Sequence, residues 1–118
     1  MIRIRPFALL AALGLVAVVP AQAAVPKLTG TVGPGFSMTL KKGGVTVKSA
    51  KAGKYTLTVA DKSGIHNFRL RGPGVNVATS IVGTGTKTFN VTLKPGTYRF
   101  LCDPHPTSMT GDGTFKVS

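Results

Sequence analysis

The 118-residue sequence has no tryptophan, no glutamate, one cysteine, two histidines and three acids: Asp61, Asp103 and Asp112. A lone cysteine cannot close an intramolecular disulfide, so the disulfide-stapled miniproteins are excluded. Zinc ribbons and Cys2His2 fingers fall with them, since each needs more than one thiolate. A hydrolase working through paired carboxylates would have to draw on those three aspartates. Aromatic residues make up only 7% of the chain, and no helical periodicity of useful length appears. Fifteen Gly and eight Pro suit a turn-rich β protein instead.

What the chain does have is positive charge, with 15 Lys and Arg giving a formal net charge of +12. Two of those cations, Arg3 and Arg5, precede an unbroken apolar run from Phe7 to Val19. The run matches the apolar region of a secretory signal, roughly 7–15 residues, and falls short of the roughly 20 needed to span a bilayer. Ala21-Gln22-Ala23 has the small-x-small form of a cleavage site. Residues 1–23 therefore read as a Sec-type signal peptide and 24–118 as the mature domain, exported to the periplasm or secreted, with no membrane span of its own. The mature part keeps a charge of +10, thirteen cations against three acids.

Within 24–118 the apolar residues alternate with period two, the mark of half-buried strands. Phe36, Met38 and Leu40 share one face, as do Tyr55, Leu57 and Val59. The same holds for His66, Phe68 and Leu70 in a strand expected over 65–70, for Phe89, Val91 and Leu93, and for Tyr98, Phe100 and Cys102. Phe115 and Val117 close the series, and stretches near Leu28–Val32 and Val45–Val47 add two more candidates. Turn signals such as Gly33-Pro34-Gly35, Pro95-Gly96 and Gly111-Asp112-Gly113 separate the runs. Gly72 to Gly85 reads as a longer loop. Seven to eight antiparallel-type strands in one domain predict an all-β Greek-key sandwich or barrel. Arg69 and Arg71 fall on outward positions and read as part of a solvated sheet face. The predicted aromatics lie on core faces and the chain is read as exported, so nucleic acid is not the expected partner.

The chemistry concentrates in Cys102-Asp103-Pro104-His105-Pro106-Thr107-Ser108-Met109, a Cys-x2-His-x3-Met pattern between two expected strands. Residue parity turns His66 and Cys102 into the sandwich, so His66, Cys102, His105 and Met109 can meet at one end of it. Taken singly, each has a plainer role. An inward cysteine is commonly an inert small hydrophobe, a histidine on an apolar face a hydrogen-bonded core residue, and a methionine a gap filler. Together they make two imidazoles, a thiolate and a weak thioether, the donor set of an electron-transfer copper site. A Cys102–His105 nucleophile pair lacks any third orienting group.

These motifs resemble those of the cupredoxins, the plastocyanin- and azurin-like small blue copper proteins. The resemblance covers the mature chain and is strongest over 63–68 and 98–111. It implies one copper ion, with His66, Cys102 and His105 as equatorial ligands and Met109 as axial ligand. It also implies that His105 lies near the surface at an apolar patch, and that Asn67 ties the two ligand loops together by hydrogen bonding. The His-to-Met spacing is one residue shorter than in plastocyanin and one longer than in amicyanin, and Asp103 stands where many relatives carry Ser or Thr. The function implied is not enzymatic. It is single-electron transfer between redox partners, with delivery of copper to an acceptor protein as the alternative. The +10 charge leads us to expect an acidic redox partner, and the mature domain is expected to be a monomer.

Overall fold

The alternation read from the sequence is realised as strands in the computed structural model, which describes residues 11–17 and 24–118. The proposed signal region lies mostly outside the described residues. Among those that are described, no helix is long and apolar enough to cross a membrane.

Ten strands run in chain order: β1 (Lys27–Val32), β2 (Met38–Lys42), β3 (Val45–Thr46), β4 (Ser49–Ala50), β5 (Gly53–Asp61), β6 (Arg69–Gly72), β7 (Val75–Ala78), β8 (Gly85–Leu93), β9 (Gly96–Leu101) and β10 (Gly113–Val117). They form two five-stranded sheets, ordered β3-β2-β1-β5-β8 and β4-β10-β9-β6-β7. The all-β sandwich expected from the sequence is therefore present. Three details differ. β4 is a two-residue strand that the pattern did not indicate, whereas β3 realises the Val45–Val47 candidate over only two residues. The stretch 72–85 is not one loop, since it contains β7, which pairs with β6. Nor are all the pairings antiparallel: β1 runs parallel to β5, and β4 parallel to β10.

The core lies between the sheets and is filled from the alternate positions that the pattern indicated. Leu28, Leu40, Leu57, Val59, Leu70 and Tyr98 are all fully buried. Phe68 stacks on Phe100 with ring centroids 5.8 Å apart, and Tyr98 on Phe115 at 5.5 Å. The Tyr98 hydroxyl accepts from the Lys94 amide at 2.8 Å and lies 2.8 Å from the Pro73 carbonyl, so this buried ring keeps its polar end satisfied.

Phe36 departs from the pattern. The run was expected to be continuous through Phe36, Met38 and Leu40, but β2 starts only at Met38 and Phe36 is 54% exposed. The chain is still turning at Phe36, because the Gly33 amide donates to the Ser37 carbonyl at 2.9 Å and closes a tight bend ahead of β2.

This bend also receives the end of the Cys102–Met109 loop. The Thr110 amide donates to the Phe36 carbonyl at 2.8 Å, and the Met38 amide donates to the Thr110 carbonyl at 2.7 Å. One sheet thus clasps a loop that springs from the other. Gly111 makes the clasp possible. Its φ is +90°, and a Cβ there would lie 2.0 Å from the Met38 carbonyl oxygen. Backbone strain and a clash with backbone would act together in Gly111→Ala. We expect this variant to lose about 3–5 kcal/mol in urea unfolding. Parental stability would show that the clasp is not needed.

Candidate metal centre

Two loops at one end of the sandwich carry the candidate donors. The first, between β5 and β6, is organised by Asp61 and Thr79. Asp61 is buried at the end of β5 and accepts from the Ser63 amide at 3.1 Å and from the Thr79 hydroxyl at 3.0 Å. Ser63 Oγ accepts from the Ile65 amide at 3.3 Å, and Thr79 Oγ1 accepts from the Phe68 amide at 2.9 Å. These bonds hold 61–68 in an irregular path that leaves His66 with no exposed surface. His66 therefore does not open a strand, as the alternation suggested. β6 begins only at Arg69, and His66 points inward because the Asp61–Thr79 bonds turn it there.

The second loop leaves β9 at Cys102. The His105 amide donates to the Cys102 carbonyl at 3.1 Å, and the Ser108 amide to the His105 carbonyl at 3.4 Å. Successive turns of this kind bring His105 back beside the cysteine. Cys102 is fully buried, Met109 is 3% exposed and His105 is half-buried.

His66, Cys102 and His105 converge as the sequence predicted, with their donor atoms within 4.8 Å of one another. The Nδ1 atoms of the two histidines are 3.1 Å apart. Cys102 Sγ lies 3.7 Å from His66 Nδ1 and 3.8 Å from His105 Nδ1. An ion at the centre of a trigonal plane, bonded at about 2.0 Å to nitrogen and about 2.3 Å to sulfur, would give edges of about 3.5 and 3.7 Å. The triangle therefore fits a first-row transition metal, slightly tight along its nitrogen–nitrogen edge. Among the described residues, the buried His66 Nε2 has no hydrogen-bond partner, so Nδ1 is the ring nitrogen that faces the other donors. The donors themselves narrow the choice of metal. Thiolate is soft and suits Cu(I), and imidazole suits Cu(II) as well as zinc, iron and nickel.

Around the triangle lies a set of hydrogen bonds centred on Asn67, which is buried. Its backbone amide donates to Cys102 Sγ at 3.4 Å. Its side-chain amide donates to Asp103 Oδ2 at 2.8 Å and to the Thr79 carbonyl at 3.2 Å. Its Oδ1 accepts from the Asp103 backbone amide at 2.8 Å. The two ligand loops are thus tied in both directions, in the way the resemblance implied for Asn67. The orientation of a donor depends on such outer contacts.

Three contributors were not read as such from the sequence. Phe36, expected in the core, instead sets its ring edge-on to both imidazoles, 4.6 Å from His66 and 4.9 Å from His105. Thr79 gave no signal. Arg69, read as part of a solvated face, forms the ion pair Arg69–Asp103, Nε to Oδ1 at 2.6 Å and Nη2 to Oδ2 at 2.8 Å. This guanidinium holds the Asp103 carboxyl below the usual carboxylate range; partial burial opposes the effect and the Asn67 bond adds to it. Because the folded value lies below the unfolded one, the pair contributes stability above the ordinary carboxylate range. That contribution is lost as pH falls through the depressed value.

No protein-family model and no curated protein matches the chain by sequence. Solved structures do match it. Reduced rusticyanin aligns at a TM-score of 0.59 and 21% identity, covering 83% of this chain and 82% of its own. Dithionite-reduced auracyanin from the photosynthetic bacterium Roseiflexus castenholzii aligns at 0.52 and 21%, covering 81% and 99%. Rusticyanin from Thiobacillus ferrooxidans aligns at 0.52 and 19%, covering 78% and 76%. Two sheets in this order, with a His-Cys-His triangle at one end, give the chain the cupredoxin fold.

Proposed function

We propose that this chain is an exported one-electron carrier in which His66, Cys102 and His105 hold a single copper ion and Met109 adds a weak axial thioether. The observation that carries the reading is the donor triangle, with its edges of 3.1, 3.7 and 3.8 Å. One of the similar structures is described as that of the copper protein rusticyanin. A bound copper ion would supply the Cu(II)/Cu(I) couple, and the chain supplies everything else. The clasp at Thr110 and the Asn67 bonds keep the donors in one arrangement, so little movement accompanies a change of charge. Soft sulfur favours the reduced ion and imidazole the oxidised one, and a fixed set of both serves each state.

Burial favours carrying electrons over delivering metal. His66, Cys102 and Met109 are closed to solvent, so an acceptor protein could not reach them to take the ion. His105 alone is part-exposed, beside Phe36, with Ile65 also exposed nearby in sequence to His66. Electrons would pass at this edge. The reading is of a carrier and not of an enzyme. Partner choice follows from charge. Of the three acids, Asp61 is buried and Asp103 is paired with Arg69, so the other twelve cations of the mature chain face almost no exposed acid. An acidic redox protein complements that surface. Export rests on residues 1–23, with processing placed after Ala23.

Adding Cu(II) to the purified protein is expected to produce an intense thiolate-to-copper absorption band. A spectrum without that band, or a band that survives in Cys102→Ala, would overturn the ligand assignment. Electron transfer with the physiological partner should slow by tenfold or more between about 10 mM and 150 mM salt, as screening shortens from roughly 30 to 8 Å. Stopped-flow rates independent of salt would remove the acidic partner. Protein recovered from outside the cytoplasm is expected to begin at Ala24, and N-terminal sequencing that finds Met1 would remove the cleaved signal.

A further inference from the structure

Arg69 is held more firmly than a surface cation needs to be. Its Nε and Nη2 both grip Asp103, while Nη1 donates to Asn76 Oδ1 on β7 at 2.7 Å. The sheet register explains the reach. Arg69 stands opposite Leu101 in the β6–β9 pair, and Asp103 lies two residues further along. Asp103 follows Cys102 directly, and its Oδ2 is shared between Arg69 and the Asn67 side chain. A continuous path of bonds therefore runs from Asn76 through Arg69, Asp103 and Asn67 to the sulfur of Cys102. Arg69–Asp103 is also the single ion pair among the described residues. A part-buried pair this close to the surface adds little to stability, about 0–1 kcal/mol. Its location gives it another consequence. A free carboxylate beside the thiolate would place a second negative charge next to the ion and favour Cu(II). A carboxylate gripped in a two-toothed pair is both neutralised and fixed in angle.

We propose that Arg69 is a positioning residue of the metal centre, which cancels the charge of Asp103 and holds the Asn67–Asp103 bridge in one geometry, so that Asp103 does not lower the reduction potential. The charge half of this proposal rests on the copper reading, whereas the geometric half does not.

Copper-loaded protein would be titrated to its midpoint potential for the parent, Arg69→Gln, Arg69→Lys, Asp103→Asn and the double variant Arg69→Gln/Asp103→Asn. Arg69→Gln should shift the Cu(II)/Cu(I) equilibrium about tenfold toward Cu(II), a midpoint about 59 mV lower, and the shift should shrink as salt rises. Arg69→Lys restores the charge and should recover most of the potential. The double variant removes both charges and should return close to the parental value, whereas Asp103→Asn alone strands the guanidinium and should lie above it. Metal-free protein supplies the second readout. Hydrogen exchange at the Asp103 amide, which is bonded to Asn67 Oδ1, should quicken at least tenfold in Arg69→Gln and remain partly quickened in Arg69→Lys, which lacks the fork. An unchanged potential in Arg69→Gln with its absorption band intact would overturn the charge role. Unchanged exchange at Asp103 would overturn the positioning role. A parent protein that never shows the band would overturn the copper reading and the charge role together, and the exchange measurement would still decide the geometric half.

Discussion

The two-way hydrogen bonding between Asn67 and Asp103 is the joint on which the site depends. His66 comes from a loop after β5, and Cys102 and His105 from a loop after β9, so nothing in the local sequence sets one against the other. Asn67 removes that freedom. It offers its amide to Asp103 and accepts the Asp103 backbone in return, while its own backbone donates to the Cys102 sulfur. One buried side chain, satisfied on every polar atom, thereby fixes the distance between donors that are 36 residues apart in sequence. Thr79 and Asp61 support the joint from behind, since Thr79 bonds Phe68, Asp61 and Asn67 together. Buried polar networks of this kind are rigid when every member is satisfied. That suits the proposed copper centre, whose donors would stay in place while the charge at their middle changes.

Rigidity of the loops accounts for much of the division between the sheets. The core positions of β1, β2, β5, β6, β8, β9 and β10 do the packing, and the donors sit beyond the strand ends, where the chain is free to turn. The loop carrying Cys102, His105 and Met109 belongs to one sheet by origin and is clasped by the other through Phe36, Met38 and Thr110. The site is thus a point where the two layers are bonded to each other, in addition to being packed.

How much could be read in advance follows from the same geometry. Alternation located the core in the long strands, because a strand with one face buried has no choice of register. It failed at Phe36 and at His66 for a shared reason. Parity holds only while the chain stays extended, and the bend closed by Gly33–Ser37 and the turn anchored on Asp61 both end that extension. His66 still pointed inward, by a route the pattern did not contain. The donor set was legible because Cys-x2-His-x3-Met is local and the chain holds only one cysteine and two histidines. Arg69–Asp103 was not legible, because the pair spans 34 residues and exists only through the β6–β9 register. The parallel pairings escaped for the same reason, since period two does not distinguish them from antiparallel ones.

Those parallel pairings have a consequence for how the molecule is made. β4 at residues 49–50 pairs with β10 at residues 116–117, so the second sheet lacks an edge until the segment 113–117 is available. β1 likewise waits for β5, because no tight turn can join parallel neighbours. A chain delivered from its N-terminus cannot build this sandwich layer by layer. It must close over long sequence separations, in a step that is slow by the standards of small domains. An ion offered before that closure would meet two unconnected histidines and a cysteine, and only the finished sandwich presents them as a triangle.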